Sequence, residues 1–100
     1  MITIPLLSGA TNAHQRFTML LGGKTLEFII NYITVAGPAW SMDVYHKGTL
    51  LIAGAMLEPG AEVSQNYGAD IGGRLVFVGA DVTLDNLGRD NKLVWVSDDE

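Results

Sequence analysis

Glycine and proline interrupt this 100-residue chain so often that almost no stretch is long enough for a helix, and the stretches between them alternate with a period of two. From Phe17 the apolar positions are Phe17, Met19 and Leu21. After Gly22-Gly23-Lys24 they are Leu26, Phe28, Ile30 and Tyr32. Two alternating runs around a Gly-Gly turn predict a β-hairpin, because glycine supplies the positive φ that tight hairpin turns require. Ala13, Phe17, Leu20 and Leu21 also fit a helical spacing, but the alternation on both sides of the turn and the β-branched second run favour strands.

The pattern continues down the chain. Trp40, Met42 and Val44 alternate with Ser41, Asp43 and Tyr45, and His46-Lys47-Gly48-Thr49 turns the chain into a returning strand over Leu50 to Leu57. Further strands are expected at Ala61 to Ser64, Arg74 to Val78 and Lys92 to Val96, with turns at residues 70–73 and 85–88. The reading is all-β: one small sandwich or barrel of seven or eight short, mostly antiparallel strands. It places a single domain over residues 1–96 and an acidic tail over 97–100. One hundred residues leave no room for a second core.

Composition limits the function classes. Six Lys and Arg stand against eleven Asp and Glu, and charged residues are 17% of the chain against 48% apolar. That excludes a disordered, highly charged segment and a basic grip on nucleic acid, and a net charge of -5 disfavours anionic membrane surfaces. Without cysteine there is no disulfide, thiol nucleophile or Cys-ligated zinc. The opening Met-Ile-Thr-Ile-Pro has no basic region and is broken by Pro5, so no signal peptide is expected. Synthesis in a reducing cytoplasm follows as the expectation.

No chemical motif is complete. Gly22-Gly23-Lys24-Thr25 resembles the end of a phosphate loop, but Thr18 stands where its first glycine belongs and a strand follows instead of a helix. His14 and His46 are placed in a loop and a turn, without the spacing of metal ligands. Asp81, Asp85, Asn86, Asp90 and Asn91 miss the calcium-loop spacing and read as turn residues. Ser41, Asp43 and His46 lie close in sequence without an oxyanion hole or nucleophile elbow. No catalytic, cofactor-binding or metal residue is therefore expected. Phe17, Phe28, Trp40, Phe77 and Trp95 read as core, whereas Tyr45 and Tyr67 join apolar area to a polar tip and suit an interface. With His46 and the tail acids Asp98, Asp99 and Glu100 they are the candidate partner contacts.

Leu50-Leu51-Ile52-Ala53, Leu75-Val76-Phe77-Val78 and Leu93-Val94-Trp95-Val96 are apolar at every position. A strand with one wet face should alternate. Either these strands are covered on both sides within the domain, or a neighbouring subunit covers one face.

Taken in order, several landmarks resemble the small baseplate plug proteins of contractile-tailed bacteriophages. They are Ile4-Pro5-Leu6; the hairpin from Phe17 to Tyr32 with Leu26-Glu27-Phe28; Trp40-Ser41-Met42-Asp43-Val44; Gly48 and Leu51-Ile52-Ala53-Gly54 leading to Leu57 and Gly60. Gly73-Arg74-Leu75, Asp85-Asn86-Leu87-Gly88 and Leu93-Val94-Trp95 complete the set. The acidic tail departs from that pattern, as does Trp95 where a tyrosine belongs. The resemblance implies a non-enzymatic virion component of the tail baseplate, without cofactors, in six or three copies around the tail axis. It would contact tube, hub and wedge proteins. The alternative from a different class is a stand-alone module binding a small ligand or carbohydrate, with Trp40 or Tyr67 as its stacking platform.

Overall fold

The computed structural model describes residues 1–34, 37–64 and 71–99. Two four-stranded antiparallel sheets enclose one core. The first sheet is a meander of β2 (His14–Leu21), β3 (Lys24–Ile33), β4 (Ala39–His46) and β5 (Thr49–Met56). The second has the order β1-β8-β7-β6, formed by β1 (Ile2–Ile4), β6 (Ala61–Glu62), β7 (Gly73–Gly79) and β8 (Asn91–Ser97). Both chain ends thus lie in one sheet, with Ile2 opposite Trp95 and Ile4 opposite Leu93.

The expected hairpins form where glycine permits them. Gly22 and Gly23 have φ of 59° and 81°, and Lys47 and Gly48 have 51° and 79°. Two successive positive φ values give the turn whose twist matches that of paired strands. The helical spacing of Ala13, Phe17, Leu20 and Leu21 forms no helix: the last three lie in β2, which a single 3-10 turn, Ala10–Asn12, precedes.

The core is built from the inward position of each pair: Phe28, Ile30, Trp40, Met42, Val44 and Ile52 from the first sheet, Ile4, Leu75, Phe77, Leu93 and Trp95 from the second. All five aromatics expected in the core pack there, Phe17 only in part, stacked on Phe28 at 5.1 Å between ring centres. Polar groups drawn into this interior are paired. Gln15 accepts from the Leu7 N–H (3.0 Å) and donates to the Leu7 and Asn12 carbonyls (2.7 and 3.0 Å), so its side chain ties the segment after β1 to β2. A buried amide pays its way only when every such bond is made.

The two ends close differently. At one, Gly22 lies against Gly72, where an added Cβ would stand 2.9 Å from the Ile71 carbonyl, and Trp95 donates its indole N–H to that carbonyl at 3.2 Å. At the other, residues 80–90 fold over the core and bury Leu87. The turn-forming side chains expected there hold this loop. Asn86 accepts from Thr83 N–H and donates to the Asp81 carbonyl, while Asn91 accepts from Gly88 N–H and donates to the Ala80 carbonyl.

Candidate interaction surface

Strand alternation sorts the candidate residues by face. Tyr45 is in register with Glu27 on one side and Leu50 on the other, and Glu27 with Thr18, giving a row across the outer face of the first sheet. Arg16 joins this face, its Nε donating to the Glu27 carboxylate at 2.8 Å. That hydrogen bond, and then the carboxylate's charge, raise the Arg16 pKa further above its ordinary value. His46 is one step along the same strand and therefore takes the opposite face, beside Leu26 at the end of the core. Both residues are half-buried.

The two histidines are not loop residues as the sequence suggested. His14 opens β2 and His46 closes β4, at opposite ends of the sheet, and His14 Nδ1 contacts the Asn31 amide oxygen. Ser41 and Asp43 do share the outer face, but His46 does not, so the three cannot act together. Asp43 instead accepts a hydrogen bond from Gly54 N–H at 2.6 Å. Among the described residues no three of His, Asp and Glu converge as a metal site.

Asp98 donates its backbone N–H to the Gly72 carbonyl at 2.9 Å, and Asp99 donates its own to Ser97 Oγ at 3.2 Å. Both side chains are exposed, at the end of the sandwich that also carries the 22–23 and 47–48 turns. Tyr67 and Glu100 lie outside the described residues. Trp40 is wholly buried, its indole N–H donating to the Thr83 carbonyl at 3.0 Å, and offers no stacking platform.

The three fully apolar runs have two explanations. In the Leu50 run, two register shifts against β4 insert extra residues, so Ile52, Ala55 and Leu57 all reach the core while Leu50 and Met56 stay exposed. This is a bulged edge strand, not a two-faced one. The other two runs are two-faced. Leu75, Phe77, Leu93 and Trp95 point inward, and the alternate positions take the other face of the second sheet, where Val78 is exposed, Val76 and Val96 are half-buried and Val94 is buried. Arg74 is opposite Val96 and Lys92 opposite Val78, so a cation stands at each end of the valine patch. The sequence announced this patch only as missing alternation.

The fold defines a small all-β sandwich of two antiparallel sheets. The family model described as cyanophage baseplate Pam3 plug gp18 matches residues 1–99, and the chain belongs to this family of phage baseplate plug proteins. Comparison with curated proteins returned no match.

Proposed function

We propose that this chain is a structural plug of a phage tail baseplate, made in the host cytoplasm, which holds tube, hub and wedge proteins together by protein contacts. The observation that carries the reading is the family match over residues 1–99. The contact surface in this reading is the outer face of β7 and β8, where Val78 is exposed and Val76 and Val96 are half-buried beside a buried Val94. Tyr45, His46, Asp98 and Asp99 make further contacts at the 47–48 end, and Tyr67 and Glu100 are further contact candidates from the sequence. Six or three copies surround the axis, and the chain performs no catalysis.

The test is incorporation into tails. Val78→Glu and Val96→Glu each place a carboxylate opposite a cation, Lys92 or Arg74, so the fold should persist. The double variant is expected to reach purified tails at less than about a tenth of the wild-type amount, since two charged groups replace apolar contact area and must be desolvated when a neighbour covers them. Normal incorporation of the variant would remove the valine face from the account. Absence of the wild-type protein from tails would remove the baseplate role itself.

A further inference from the structure

Among the described residues the two sheets have four edges, and three are blunted. β1 has three residues, β6 has two, and β5 is broken by register shifts, with Gly54 N–H held by Asp43. β2 is different: it has eight residues, contains neither glycine nor proline, and stays in unbroken register with β3 from His14 to Leu21. Natural sheets ordinarily protect an edge of this length.

The hydrogen-bond parity shows what this edge presents. Tyr32 N–H donates to the Ala13 carbonyl, and Tyr32 lies opposite Ala13 in continuation of the β2–β3 register. The backbone groups of Gln15, Phe17, Met19 and Leu21 therefore face β3, and those of His14, Arg16, Thr18 and Leu20 face outward. Beside them runs a groove of about 320 Å³ with Pro5, Leu7, Phe17 and Met19 among its walls. Leu7 and Leu20 are 58% and 66% exposed.

We infer that this edge pairs with β2 of a second copy of the chain, antiparallel about a twofold axis at Phe17. In that register His14 is hydrogen-bonded opposite Leu20 of the second copy, and Arg16 opposite Thr18. Phe17 meets Phe17 across the axis on the core side, extending the stack already made with Phe28. The charges agree with the register as well. Thr18 is the cross-strand neighbour of Glu27 within each copy, so each Arg16 lies between its own Glu27 and that of the second copy. The strand is self-complementary in backbone, apolar and charged groups together. Pairing closes the one long edge left open among the described residues, and it concerns the free chain whatever the chain's place in a virion.

Sedimentation velocity on the purified chain at tens of micromolar tests this. The wild type should sediment as a dimer. Thr18→Pro should sediment as a monomer with the same circular dichroism, because the Thr18 N–H it removes points to the open edge and has no partner within the sheet. Leu20→Lys serves the same purpose should the proline disturb folding, and it should weaken the dimer at least tenfold. The amides of Arg16, Thr18 and Leu20 should exchange more slowly in concentrated than in dilute solution. A monomeric wild type, a dimer that withstands both substitutions, or edge amides indifferent to concentration would each overturn the inference.

Discussion

Trp40→Ala should be among the most damaging single substitutions in this protein, lowering stability by about 4 kcal/mol, within the range for deleting a buried large aromatic. Trp40 is fully buried at the start of β4, with the Tyr32 ring 5.2 Å away, and it joins two parts of the structure that no strand pairing connects. Its ring fills the core beneath the first sheet, and its indole N–H holds the Thr83 carbonyl of the loop that closes the sandwich. The Trp40 carbonyl also accepts from Leu57 N–H at 2.9 Å, so strain at this position reaches the exit of β5. For a domain of this length the change should lower Tm by roughly 16 °C or more. Trp40→Phe keeps most of the packing and forfeits the bond to Thr83, and should cost about 1–2 kcal/mol. Urea denaturation of the two variants separates the packing contribution from the hydrogen bond.

Gly79→Ala should cost about 3 kcal/mol for a different reason. Gly79 ends β7 at φ 117°, which side chains rarely adopt, and a Cβ there would stand 2.5 Å from the Asp90 carbonyl oxygen and 2.6 Å from Asn91 Cα. Backbone strain of about 1–3 kcal/mol therefore combines with a clash that only a shift of β8 relieves. Gly23→Ala is the control. Its φ of 81° is also positive, but nothing lies within 4 Å of the added methyl, so only the left-handed conformation is penalised, at about 1–2 kcal/mol. Denaturation midpoints measured side by side should place Gly79→Ala well below Gly23→Ala. Equal losses would mean that the close approach of β7 to β8 contributes nothing.

Local chemistry made much of this fold legible. The Gly22-Gly23 and Lys47-Gly48 turns and the alternating runs around them fix both hairpins, because turn conformation and side-chain direction depend on adjacent residues. Tyr45 could be assigned to the outer face by the same logic, and His46, one residue later, belongs on the other. What stayed hidden depends on distant partners. β1 is three residues that pair with β8, at the far end of the chain. The bulges in β5 disguise a one-sided strand as a two-sided one, since inserted residues shift which positions face inward. Leu87 looked like part of a turn and is core, because its loop folds back over the open end of the sandwich.

The low charge content follows from the same geometry. The outer positions of β7 and β8 carry valine where a free sheet would carry polar residues, and the six acids from Asp81 onward, against Arg89 and Lys92, supply -4 of the net -5. Three of those acids and Arg89 sit in or beside the closing loop, and the other three in the tail. The open β2 edge could not be read from composition at all. Nothing in a sequence states which strand of a meander will lie outermost.

A cryo-electron microscopy reconstruction of intact tails from a phage encoding this chain tests most directly whether the sandwich is a structural part of the tail baseplate. Density at the baseplate is expected into which the two four-stranded sheets fit, with the outer face of β7 and β8 covered by a neighbouring chain. Tails whose baseplate density is complete without this fold would contradict that role.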